Sequence, residues 1–289
     1  MSTLIMTSTI VLNQTNLIGN DNNEFVYKFP NSVVFNSHQV AVQSMSLFYS
    51  WTNINASLLQ NNQLNVSYVV GDTTITKTIT IPDGLYEISD IQNYFMYWCI
   101  ENGFYLIDDA GDYVYFFELL VNPTSYAIMV NTFSVPASLP TGYTLPSNWI
   151  GFPTTSYNPS LCFLSKFNEL IGFPAEYTTP LHPSLNVDNT YTFSMNSIST
   201  PQVQKNSNLL VSVNNISNKY AQPSTIIYSL APSVAIGEQI VERPPQLAFN
   251  NLIAGTYNEI RLQLLGSDLQ PIKILDPNIT ILLAIRENK

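Results

Sequence analysis

An all-β jelly-roll sandwich is the fold this sequence predicts, on three observations. Alternating or continuous apolar runs of strand length recur along its 289 residues, nine to eleven of them. Turns rich in Pro, Gly and Asn separate them, and a single stretch carries helical spacing. Many short strands with one helix are the profile of two sheets packed face to face.

The first clear strands are EFVYKFPNSVVFN (24–36) and HQVAVQSMSLFYSW (38–51). QLNVSYVV (63–70) and TTITKTITI (73–81) flank Gly71-Asp72 and are dense in β-branched residues, which predicts a hairpin. The helical exception follows, in IPDGLYEISDIQNYFMYWCIENG (81–103). Pro82, Asp83 and Gly84 make a turn, and Ser89 or Asp90 is expected to cap a helix over about 86–101. Ile88, Ile91, Phe95, Trp98 and Cys99 fall at three- and four-residue intervals, so their side chains form one apolar stripe, and Asn102-Gly103 ends it. Such a helix should lie across an open edge or end of a sheet and cover apolar surface left exposed there.

Strands resume in FYLIDD (104–109), YVYFFELLV (113–121) and SYAIMVNTFSV (125–135). From 136 to 205 the texture changes: nine prolines interrupt any element, and IGFP occurs at 150–153 and again at 171–174. Two copies do not make a solenoid. An insertion or extended loop region over 136–205 is expected within one domain spanning 1–289, and projecting loops are where contacts with other molecules sit. NLLVSVNNI (208–216), STIIYSLAP (224–232), EIRLQLLG (259–266) and ITILLAIR (279–286) complete the strands. Residues 1–20 read either as an arm reaching adjacent subunits or as a first edge strand.

Composition narrows the function. Only 10% of residues are charged, against roughly 25% in an average soluble domain, so aromatic and apolar surface is expected to be buried against partners. Twenty Asp plus Glu against ten Lys plus Arg give a net charge of -10, which disfavours direct nucleic-acid binding. The start lacks a basic signal-peptide region, and no run approaches 18 unbroken apolar residues, so no membrane span is expected. Cys99 and Cys162 lie far apart and both read as buried thiols.

No catalytic, cofactor-binding or metal-binding residue is assigned from the sequence. His38 and His182 each lack a companion at metal-ligand spacing, no serine sits in a nucleophile elbow, and there is no glycine-rich phosphate loop. Asp108, Asp109 and Asp112 form the densest carboxylate group, but they lack the twelve-residue calcium loop, and a tight hairpin tip gives the same sequence.

One resemblance stands beside this reading. STIIYSLAPSVAIGEQIVERPPQLAFNNLIAGTYNEIRLQLLGSDLQPIKILDPNITILLAIR (224–286) resembles the C-terminal part of the minor capsid, or penton, proteins of virophages and Polinton-like viruses. The turn at Gly266, Ser267 and Asp268 would close a final hairpin in that pattern, followed by Pro271 and Asp276. IPDGLYEISDIQNYF is similar to the family's turn and short helix, and FNELIGFP (167–174) to its central segment. The resemblance covers about half of the chain, and its motifs are less specific than a metal signature.

It implies a non-enzymatic structural protein of the virion, assembled in the host-cell cytoplasm without a cofactor. Five copies would close each five-fold vertex of an icosahedral shell against neighbouring major capsid protein hexamers. The long loops would meet a host surface, and Arg243, Pro244 and Pro245 would form a stiff linker between late strands. The alternatives are another viral jelly-roll component, cementing, spike or receptor- and carbohydrate-binding, with an enzyme disfavoured.

Overall fold

The computed structural model describes residues 7–164, 166–181, 192–204 and 206–288. In chain order the strands are β1 (Thr7–Leu12), β2 (Leu17–Ile18), β3 (Glu24–Phe35), β4 (His38–Phe48), β5 (Gln63–Val70), β6 (Thr73–Thr80), β7 (Tyr105–Asp108), β8 (Tyr113–Tyr115), β9 (Phe117–Asn122) and β10 (Ala127–Phe133). They continue as β11 (Tyr143–Thr144), β12 (Ser160–Phe163), β13 (Thr192–Asn196), β14 (Leu209–Val213), β15 (Ile226–Leu230), β16 (Gln239–Glu242), β17 (Asn250–Asn251), β18 (Gly255–Leu265) and β19 (Thr280–Glu287). The helices are α1 (Ile88–Glu101) and α2 (Phe167–Ile171). The chain is all-β and divides into two compact units, Met1–Thr52 with Gln204–Lys289, and Asn53–Val203.

The first unit is a jelly roll. One sheet runs β1-β19-β4-β16, with β17 also on β4, and the other runs β15-β14-β18-β3-β2. Take the eight principal strands in chain order: β1, β3, β4, β14, β15, β16, β18 and β19. The first sheet then holds the first, eighth, third and sixth, and the second holds the second, seventh, fourth and fifth. That interleaving, antiparallel throughout, is the double Greek key of a jelly roll. Alternation in the sequence sets the inner faces: Ile260, Leu262 and Leu264 of β18 and Ile281 and Leu283 of β19 are fully buried, while Arg261 between them is exposed. Each buried aliphatic contributes about 1.5–3 kcal/mol by leaving water.

One expectation changes here. β18 and β19 are not a hairpin, because they belong to different sheets; residues 266–279 carry the chain across, with a local turn in which Gly266 N–H donates to Gln270 O at 2.9 Å. Pairing with β3 and β4, more than two hundred residues away in sequence, wins over pairing with the nearest strand. Of the two readings of residues 1–20, the described part takes up strand: Thr7–Leu12 pairs antiparallel with β19, and Leu17–Ile18 with β3.

The second unit holds three antiparallel three-stranded sheets, β13-β10-β9, β11-β7-β8 and β12-β5-β6. β5 and β6 form the hairpin expected around Gly71-Asp72, in full register from Gln63↔Thr80 to Val70↔Thr73. YVYFFELLV, read as one strand, is two: the chain bends at Phe116, where consecutive Phe116 and Phe117 are both buried and strand alternation breaks. The expected insertion at 136–205 covers only the later part of this unit. Its earlier part, from Asn53 on, is as strand-rich as the jelly roll, so no change of composition marks where it begins.

Helix α1 covers a sheet edge. Ile88, Ile91, Phe95 and Cys99 are buried, and Phe95 and Trp98 reach Phe117 of β9 with ring centroids 5.8 and 6.5 Å away. Gln92 completes the contact, its Oε1 accepting from the N–H of Leu119 at 2.7 Å. The cap differs from expectation: Glu87 is the N-cap residue, and Asp90, three residues on, accepts from the Glu87 N–H at 2.8 Å. A second helix, α2, was not expected; FNELI makes little more than one turn before Gly172, at φ 78°, ends it.

Candidate functional site

The residues that chemistry would single out are placed by local structure rather than gathered into a cleft. Asp108 builds its own turn: one carboxylate oxygen accepts from the N–H groups of Ala110 and Asp112, both at 2.9 Å. Gly111 takes φ 87° at the tip, and Asp109 and Asp112 are exposed. Among the described residues no group of three or more His, Cys, Asp or Glu side chains stands close enough to hold a metal. His38 lies at the start of β4 with its ring 5.1 Å from that of Phe35, and His182 lies outside the described residues. Cys99 and Cys162 are free thiols, the first buried and the second partly exposed, and burial pushes the Cys99 thiol pKa far upward.

Shifted acidity falls on tyrosines and moves away from neutrality. Burial raises Tyr49, Tyr86, Tyr105 and Tyr157. Tyr228 is pushed up to about 12 by desolvation first and then by Glu242, whose Oε1 accepts from its hydroxyl at 2.6 Å. These groups stay neutral donors at ordinary pH, which suits structural hydrogen bonding.

What the molecule does present is surface. In the jelly-roll unit, β1 and β16 are the two outer strands of one sheet, and each leaves a valine outward: Val11 is 47% exposed and Val241 57%. Outer strands with unpaired backbone groups are ready sites for contact with another chain. In the second unit, Tyr113 on β8 packs against Tyr105 with centroids 4.8 Å apart and ring planes tilted by 46°, and it is 48% exposed.

Asn53, which sequence reasoning missed, ties the second unit's first residue to its last. Its Nδ2 donates to Val203 O and to Tyr86 O, each at 2.7 Å, and its Oδ1 accepts from Tyr86 N–H at 2.9 Å. No local motif signals this, since an Asn in a Thr-Asn-Ile-Asn stretch reads as a turn. Among the described residues no helix is long and apolar enough to cross a membrane.

No protein-family model matches this chain, and no curated protein matches it. Among solved structures, the chain is similar to the crystal structure of selenomethionine-labelled mavirus penton protein. The two share 10% identity over 98% of each chain, with a TM-score of 0.37. That structure is a penton protein, the kind the sequence resemblance names. The jelly-roll assignment rests on the strand order of the first unit.

Proposed function

We propose that this chain is a structural capsid protein of a virion, a penton whose five copies close a five-fold vertex against major capsid protein neighbours. The observation that carries the reading is the jelly-roll strand order of the first unit, four of whose eight principal strands, β15, β16, β18 and β19, come from the C-terminal segment that carries most of the sequence resemblance. The fold alone does not imply the function; the conjunction with that segment is the support. On this reading the protein works by geometry. A five-fold ring is closed by a heterologous contact in which one patch of each copy meets a different patch of the next.

The test is the mass in solution by light scattering after size exclusion. One chain weighs 32.4 kDa, so a closed ring of five has a mass of about 162 kDa. A ring supports the penton. A strict monomer, alone and with the major capsid protein of the same virus, refutes it. A second reading, a carbohydrate-binding viral jelly-roll component, is favoured by the exposed ring of Tyr113, backed by buried Tyr105, since aromatic faces stack on sugar rings. A monomer whose glycan binding is lost on Tyr113→Ala would support it.

A further inference from the structure

The division of the chain into units divides its charge as well. Between Asn53 and Val203 the sequence holds 12 Asp plus Glu against 2 Lys, Lys77 and Lys166, a net charge of -10. The jelly-roll unit holds 8 Asp plus Glu against 8 Lys plus Arg, a net charge of zero. The whole excess negative charge of the chain therefore belongs to the second unit. Much of it is outward: Asp72, Glu87, Glu101, Asp109, Asp112 and Glu176 are exposed. Lys77 spends its ammonium on the amide oxygen of Asn102, at 2.8 Å, rather than on a carboxylate. In the jelly-roll unit, by contrast, Arg261 pairs with Glu259 at 2.8 Å and with Glu24 at 3.6 Å.

We infer that copies of this chain meet through the jelly-roll unit, and that the 53–203 unit takes no part in copy-to-copy contacts. This rests on the five-copy ring of the proposed function. Contact between two copies of the second unit would set a surface of charge -10 against another of charge -10. Like-charge surfaces repel within about one Debye length, about 10 Å at 0.1 M salt. Charged groups are also depleted from the buried centres of protein interfaces. The neutral unit meets its own copies without that penalty, and it carries the outward Val11 and Val241 on strands with an unpaired side. A ring built this way is close to indifferent to salt, whereas a ring built on the acidic unit is driven together by it.

The experiment uses the full chain. Ring dissociation is followed by light scattering at 0.1 M and 0.5 M NaCl, for the natural sequence and for the triple variant Glu101→Gln, Asp109→Asn, Asp112→Asn. The expected result is a dissociation constant changed by less than about twofold, by salt or by variant, because the contact then includes none of these charges. Hydrogen exchange compared between ring and dilute monomer is expected to show protection on assembly confined to 7–52 and 206–288. A ring that tightens about tenfold or more with salt or with the triple variant overturns the inference, as does assembly protection inside 53–203. A chain that forms no ring under either salt, alone and with the major capsid protein of the same virus, overturns the proposed function and this inference with it. A ring with the wrong salt response overturns only the inference.

Discussion

Replacing Asn53 with alanine is expected to loosen the 53–203 unit as a whole. The side chain makes three hydrogen bonds, to Tyr86 O, Val203 O and Tyr86 N–H, and Asn53 is only 8% exposed. A hydrogen bond contributes about 1 kcal/mol net, and a buried group left without a partner costs about 1–3 kcal/mol. The loss is therefore about 3 kcal/mol as a working value. For a unit of about 150 residues that lowers the unfolding midpoint by about 6–12 °C. Hydrogen exchange of peptides within 53–203 separates the unit's own opening from that of the jelly roll. Rates there should rise about a hundredfold, with the Tyr86 amide among the most affected, while 206–288 changes little. Asn53→Asp sharpens the test, because it keeps the acceptor for Tyr86 N–H but turns a carboxylate oxygen toward two carbonyls now 2.7 Å from the amide nitrogen. It should be at least as destabilising as alanine. A midpoint shift under 1 °C with exchange altered less than threefold would refute the reasoning, and the unit's ends would then be held by something other than this side chain.

Three further outcomes follow from the geometry. Gly103 sits at φ 65°, and a Cβ added there would lie 1.9 Å from the backbone oxygen of Asn148; Gly103→Ala should cost at least about 2 kcal/mol, read from thermal unfolding. Native protein should expose Cys162 to a thiol reagent well before Cys99, and both should react in guanidinium; equal rates in the native state would contradict the burial of Cys99 on the inner face of α1. Because the Tyr228 pKa is raised above its unfolded value, its contribution to stability is complete below about pH 10 and is lost as pH climbs through about 12. Denaturant titrations should show that fall, and Tyr228→Phe should flatten it.

How much of this was legible before the structure depends on how local each feature is. The α1 stripe was legible because burial at Ile88, Ile91, Phe95 and Cys99 follows the helical period directly. The β5–β6 hairpin was legible because both strands and their turn are contiguous. The cap was missed because the acceptor that counts, Asp90, lies one turn inside the helix and reaches back to Glu87 rather than opening the helix itself. The bend at Phe116 was missed because two buried aromatics in succession look like a richer strand. The crossing between β18 and β19 was missed because what decides it, register with β3 and β4, is set by residues more than two hundred positions away. Asn53 belongs with these: its partner Val203 is 150 residues distant.

Composition concealed the most. A chain with 10% charged residues and a net charge of -10 reads as one weakly acidic surface. Divided at Asn53 and Val203 it becomes two surfaces with opposite self-association physics. The acidic unit resists contact with its own copies, which keeps concentrated chains apart. The neutral unit lacks that protection and carries β1 and β16 with unpaired sides and outward valines, the kind of edge that monomeric proteins usually cover or charge. Such an edge is a liability in a free subunit and an asset in an assembled one. In the proposed ring, neighbours would complete the open edges of the jelly roll, and the acidic unit would supply the repulsion that keeps association from going further.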